Sequence, residues 1–165
     1  MTRQFATDSP FKTIVCCTDF SENADFAFDF AVDAASRRPG CVLYLLHVVP
    51  EPDAQFWKTY IYEVDDVDQK AKHDIDERVD TVYRPRVPSG VDFRVEYRIG
   101  KESEQILTFA KERQVDLIVM GRHGHSSLGK MLFGQVTEKI TRKADCAVLV
   151  IPLSFERRLE SPPEQ

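Results

Sequence analysis

Short, β-rich apolar runs alternate along this chain with longer stretches in which apolar residues recur every three or four positions, the pattern of a parallel sheet covered by helices. Phe11 to Cys17 is an almost unbroken apolar run, as expected of a strand with both faces covered, and Thr18 and Asp19 end it. Ser21 is suited to cap a helix reaching about Arg37, in which Ala24, Phe28, Ala31 and Ala35 share a face before Pro39 and Gly40 stop it. Val42 to Val49 predicts a second strand, broken by Pro50 and Pro52. The aromatic stretch from Phe56 to Tyr62 reads as folding over the core, with a lid or partner surface as the alternative. Val67, Ala71, Ile75, Val79 and Val82 predict a second helix over about residues 65–84, closed by Pro85 and Pro88.

Val91, Phe93, Val95, Tyr97 and Ile99 alternate with polar residues, the mark of an edge or near-edge strand with one face solvated, and Gly100 terminates it. A helix from about Ser103 to Gln114, a strand from Val115 to Met120, a glycine-punctuated loop, a helix near Leu132 to Lys143 and a last strand Ala147 to Ile151 complete the series. The expectation is five β-α units, the last lacking its helix, in one domain over residues 11–153. Residues 1–10 and 154–165 read as flexible tails.

Composition narrows the function classes. With 42% hydrophobic and 30% charged residues in a chain of 165, one soluble core is expected. A formal net charge of −5 argues against nucleic acid or an anionic membrane as partner. The longest mostly apolar run, Cys41 to Val49, is far shorter than the ~20 residues of a membrane span, and no signal-peptide pattern opens the chain, so a cytoplasmic location is expected. Cys16, Cys17, Cys41 and Cys146 lie in or beside strand-like sequence without C-x-x-C spacing, so buried thiols are expected rather than a metal or redox site.

In an open parallel sheet, ligands bind beyond the carboxyl ends of strands, which directs attention to three turns. Thr18, Asp19 and Ser21 follow the first strand, Val48 and Val49 end the second, and the run Gly121 to Lys130 follows the fourth. The last carries glycines that let backbone amides approach an anion, and a helix N-terminus follows it. Arg122, Lys130, His123 and His125 add local positive charge, so phosphate is its natural ligand, although such turns also serve merely to reverse the chain. Asp19 can accept from ribose hydroxyls or an adenine amine, or can act as a capping carboxylate for the first helix. His47, within a strand, reads as a packed, hydrogen-bonded residue. No nucleophile elbow, catalytic carboxylate pair or complete G-x4-G-K-[ST] order is found, so turnover is not expected, with slow ATP hydrolysis left open.

Met120-Gly121-Arg122-His123-Gly124, followed by Gly134 and Val136-Thr137-Glu138, resembles the universal stress protein signature G-x2-G-x9-G-(S/T). Thr18-Asp19-Phe20-Ser21, Leu45-Leu46-His47-Val48, Gly100 and Cys146-Ala147-Val148-Leu149-Val150 are similar to the family's other landmarks, so the likeness spans about residues 11–152. The resemblance implies an α/β, Rossmann-like fold of the adenine nucleotide alpha hydrolase type, with an open five-stranded parallel sheet in the order 3-2-1-4-5 and helices on both faces. It implies an adenine-nucleotide-binding regulator of the stress response whose ligand is ATP, alone or with Mg. Thr18 and Asp19 would face the nucleoside, Val48 and Met120 would wall the adenine pocket, and Gly121, Arg122, Gly124, Gly134, Gln135 and Val136 would surround the phosphates. It further implies a homodimer through the last strand, an apolar edge open to pairing. Gln135 stands where the signature has Ser or Thr. A lost hydroxyl contact to phosphate is worth about 1.5–3 kcal/mol, or ~10- to 150-fold in affinity. The alternative is therefore a non-catalytic homodimeric interaction module in which nucleotide binding is weakened or lost.

Overall fold

In the computed structural model, which describes residues 9–50, 73–123 and 134–161, the side chains of the first strand, β1 (Thr13–Thr18), alternate between two buried clusters. Ile14 and Cys16 lie in one, Val15 and Cys17 in the other, and Ile14, Val15 and Cys16 are wholly inaccessible to solvent. This strand is therefore the middle of the sheet. It pairs in parallel with β2 (Val42–Pro50) on one side and with β4 (Leu117–Gly121) on the other. Outside these lie β3 (Asp92–Gly100) and β5 (Ala147–Ile151), giving five parallel strands in the order β3-β2-β1-β4-β5. The order expected from the sequence is the observed one.

Helices cover both faces, which explains why β1 and β4 read as continuous apolar runs. On the first face, α1 (Glu22–Ser36) buries Ala24, Ala27, Phe28, Ala31 and Ala35. Ser21 caps it, its hydroxyl accepting the Ala24 amide at 3.2 Å. Beside it lies α2, described from residue 73, which changes pitch along its length. Residues 73–78 are α-helical, Val79–Tyr83 forms a π turn and Arg84–Arg86 a 3₁₀ turn. Val79 and Tyr83 enter the core from it. On the opposite face, α3 (Glu102–Glu112) contributes Ile106 and Phe109, and α4 (Gln135–Lys143) contributes Ile140.

Residues 154–160, expected to belong to a loose tail, instead form a helix, α5 (Ser154–Glu160), so the fifth unit is not without one. Phe155 supplies the reason, since its ring lies 5.8 Å from that of Phe30 and 6.5 Å from that of Phe26, and aromatic contact anchors a short helix that charge alone would not. The cysteines are free. Cys16 and Cys17 are buried on opposite faces, and burial pushes the Cys16 thiol up to about 12 and the Cys17 thiol well above its ordinary value. Cys146, expected to be buried, is partly exposed because it precedes the edge strand. The aromatic stretch Phe56 to Tyr62, the first part of the predicted helix over 65–84 and the N-terminal residues 1–8 lie outside the described residues. Among those described, no helix is long and apolar enough to cross a membrane.

Candidate functional site

The strand ends β1, β2 and β4 converge at one end of the sheet, and side-chain alternation sorts the candidate residues between its faces. Val48 and Met120 belong to the cluster beneath α3 and α4, and Cys17 to the same cluster, so Asp19, two positions on, continues that row beyond the strand. Asp19 is half-buried, and its Oδ1 accepts the Ser21 amide at 3.0 Å. The carboxylate thus shapes the turn into α1. Thr18 points to the other face. Its hydroxyl is buried, sits 2.7 Å from the Tyr83 hydroxyl and accepts the Phe20 amide at 2.9 Å, so its side chain is committed to the protein.

His47 pairs in register with Thr18 and donates from Nδ1 to the Thr18 carbonyl at 2.8 Å, with its ring 4.5 Å from that of Phe20. Burial lowers its pKa, outweighing the bond to Thr18 and the charge of Asp19. It is the packed, hydrogen-bonded residue expected. Glu102 opens α3 and is half-buried, and burial followed by the nearby charge of Asp19 raises its carboxyl above the ordinary range. Sequence reading passed over Glu102 as an ordinary first-turn acid; its place two residues after the strand-ending Gly100 was the available signal.

The turn after β1 and the turn after β4 are locked together by Asn23, the second important omission. Its amide nitrogen donates to the Ile151 carbonyl at 2.8 Å, and its Oδ1 accepts the His123 amide at 3.0 Å. One buried side chain on the first turn of α1 thereby ties β5 and the glycine turn to β1. Gly121 makes this approach possible: a Cβ there would lie 2.8 Å from Asn23 Cγ, inside any tolerable contact. Arg122 donates its amide to Ile151 O at 3.0 Å, and its carbonyl accepts the Gly134 amide at 3.2 Å, which brings the start of α4 back to the end of β4. Thr137, buried in the first turn of α4, adds a bond from its hydroxyl to the Gly121 carbonyl at 3.2 Å.

These contacts place Met120, Gly121, Arg122, Gly134, Gln135 and Val136 in one neighbourhood, with Gly134 as the α4 N-cap and Gln135 exposed as its first residue. Within the helix, the amides of Gln135 and Val136 have no acceptor, as in any first turn. Arg122 donates from Nε to His123 Nε2 at 3.1 Å, while His123 Nδ1 is buried and meets no hydrogen-bond partner among the described residues. Gly124, His125, Lys130 and Leu132 lie outside the described residues. Among those described, no group of three or more His, Cys, Asp or Glu is placed to hold a metal. A cleft of about 370 Å³ opens at the other end of the sheet, between Leu107, Lys111, Val115, Lys143 and Cys146, away from every strand end considered above.

An open, parallel, doubly covered sheet with an acidic turn and a glycine turn joined at its carboxyl end defines a Rossmann-like α/β protein. The universal stress protein family model matches residues 10–152, and the chain belongs to that family. Universal stress protein MJ0577 of Methanocaldococcus jannaschii is 28% identical over 156 residues, which cover 86% of this chain and 94% of that protein. Its solved structure superposes with a TM-score of 0.74 at 26% identity, covering 87% and 97% of the two chains. UspA of Lactobacillus plantarum gives a TM-score of 0.69 at 26% identity over 87% and 99%. The fold is also shared, at 23% identity and a TM-score of 0.59 over 87% and 99%, with the universal stress protein of Archaeoglobus fulgidus in complex with dAMP.

Proposed function

We propose that this protein is an adenine-nucleotide-binding regulator, acting in the cytoplasm through occupancy rather than turnover, with ATP as its ligand. The observation that carries the reading is the Asn23 bridge, which holds the acidic turn and the glycine turn at one end of the sheet. Support comes from the A. fulgidus protein of the same fold, complexed with dAMP. Asp19 would accept from the nucleoside, Val48 and Met120 would wall the base, and Gly121, Arg122, Gly124, Gly134, Gln135 and Val136 would line the phosphates. Gly121 and Gly134 serve the packing of the turn, since a Cβ would meet Asn23 at 2.8 Å from the first and the Arg122 carbonyl at 3.3 Å from the second, and the amides of Gln135 and Val136, without acceptors in the helix, are the groups that would meet the phosphates. Any Mg would arrive with the phosphates, held by them and by water rather than by a protein cage.

A second reading, favoured by Gln135, is a homodimeric interaction module in which nucleotide binding has faded. Gln135 is exposed at the head of α4, where the family signature carries a hydroxyl. Calorimetric titration with ATP separates the two, on the wild type and on Gln135→Ser. Binding that tightens by roughly tenfold or more in the variant supports a working site lacking one phosphate contact. No heat and no rise in melting temperature at millimolar ATP, in either protein, refutes the nucleotide reading and leaves the interaction module.

A further inference from the structure

Phe20, next to Asp19, holds a φ of 61°, the left-handed region that residues with a side chain seldom occupy. Its amide donates to Thr18 Oγ1 at 2.9 Å, its carbonyl accepts from the Arg78 guanidinium at 3.1 Å, and its ring packs 4.5 Å from His47 and 6.0 Å from Tyr83. The Arg78 guanidinium also lies 5.6 Å from the centre of that ring. A conformation unfavourable in isolation is thus imposed from four directions.

The direction of each hydrogen bond follows from Tyr83. Burial, reinforced by its bond to Asp25, raises its pKa far above the ordinary phenol range, so it keeps its single proton. That proton goes to Asp25 Oδ1, so the Tyr83 oxygen accepts from the Thr18 hydroxyl at 2.7 Å, and the Thr18 oxygen in turn accepts from Phe20 N–H. Every donor points one way, from the Phe20 amide through Thr18 and Tyr83 to the Asp25 carboxylate, an arrangement in which each bond polarises the next. Arg78 closes the loop by bonding both Asp25 Oδ2, at 3.2 Å, and the Phe20 carbonyl. Tyr83 ends the π turn of α2, an irregularity often found at functional positions.

We propose that this closed circuit is a positioning device for Asp19, with Tyr83 as its key positioning residue, acting from the face of the sheet opposite the ligand. Thr18 and Asp19 point to opposite faces, so the side chain fixed by Tyr83 and the carboxylate offered to a ligand are consecutive residues on one backbone. The inference rests on the reading of Asp19 as a nucleoside contact. It recasts Thr18 as part of the support for that contact.

The test is ATP affinity by calorimetry for the wild type, Tyr83→Phe, Thr18→Val, Asp19→Ala and the double variant Tyr83→Phe/Asp19→Ala, with Phe20 amide exchange followed by NMR in the unliganded proteins. Both substitutions within the circuit preserve shape, and melting temperature reports on folding. Tyr83→Phe is expected to weaken ATP about tenfold, equivalent to ~1.4 kcal/mol, and to add less than about twofold once Asp19 is gone. The Phe20 amide is expected to exchange faster in Tyr83→Phe and in Thr18→Val. A Tyr83→Phe that melts lower yet binds ATP as the wild type does, or that costs the same with and without Asp19, overturns the proposal. Should Asp19→Ala bind ATP as well as the wild type, the nucleoside reading of Asp19 falls, and Phe20 exchange decides the circuit alone: faster exchange in both variants upholds it, unchanged exchange overturns it.

Discussion

Gly121→Ala tests the junction on which the site depends. The Gly121 φ lies outside the left-handed region, so alanine can adopt its backbone, and the cost is purely one of contact. The new methyl would sit 2.8 Å from Asn23 Cγ and 3.1 Å from both Asn23 Nδ2 and the Asn23 carbonyl carbon. Asn23 is buried and cannot swing away without releasing the Ile151 carbonyl and the His123 amide. Overpacking costs about 1–3 kcal/mol and each loosened hydrogen bond ~0.5–1.5 kcal/mol, so Gly121→Ala should destabilise by about 2–6 kcal/mol. Asn23→Ala alone removes both bonds. The Ile151 carbonyl keeps the Arg122 amide as a donor, at 3.0 Å. Its cost is therefore about 2 kcal/mol, mostly for the stranded His123 amide.

The double variant discriminates between contact and general damage. Without the Asn23 side chain, two of the three close approaches vanish and the backbone contact at 3.1 Å remains. Gly121→Ala should then cost at least about 1 kcal/mol less than it does in the wild type, a coupling well beyond the ~0.3–0.5 kcal/mol of independent sites. Urea unfolding curves of the four proteins measure this, with melting temperatures moving roughly 2–4 °C per kcal/mol in a chain of this size. A Gly121→Ala protein within about 0.5 kcal/mol of the wild type, or an additive double variant, refutes the claim that this glycine exists to admit Asn23.

Two further outcomes follow from the same geometry. His47, its pKa lowered by burial, stabilises the fold fully above the unfolded imidazole value and loses that contribution as pH falls through it toward the folded value, whereas Glu102, with a raised carboxyl, acts in the opposite sense, lending stability at low pH that is lost as pH rises. Between about pH 7.5 and 5.5 the wild type should lose more stability than His47→Asn, whose amide can still donate to Thr18; equal losses in urea unfolding would remove His47 as the cause. At the β5 edge, Leu149→Lys places a charge on a side chain that is 37% exposed and should convert a dimer to a monomer in light scattering, while a wild type that is already monomeric refutes pairing through this strand.

The fold was readable because its signals are local. Caps, apolar periods and strand-ending glycines lie within a few residues of the elements they define, and Ser21 capped α1 where expected. The candidate site was half readable for the same reason: the glycine spacing and Asp19 are motif features, whereas the contacts that assemble them are not. Asn23 reaches a carbonyl 128 positions away, and Thr18 meets Tyr83 across 65. Alternation puts Thr18 on the face of Ile14 and Cys16 but cannot name the partner of its hydroxyl. Tyr83 lies four residues after Val79, on the stripe that predicted the helix, but its hydroxyl partners Thr18 and Asp25 lie 65 and 58 positions away. Residues 154–160 looked too charged to order because the partner of Phe155 lies on a helix that begins more than a hundred residues earlier.

The two outer strands differ in a way that governs how many copies can join. Along β3, Arg94 pairs with Asp92 at 2.7 Å, Arg98 with Glu112 at 2.7 Å and Glu96 with Arg113 at 3.2 Å, so charge flanks that edge on the α3 side. Along β5 the exposed residues are Ala147 and Leu149. Pairing is thus better suited to the β5 flank, and a second molecule joined there would use its own β5 as well. A dimer formed in that way would be closed, with no second β5 edge left to extend it.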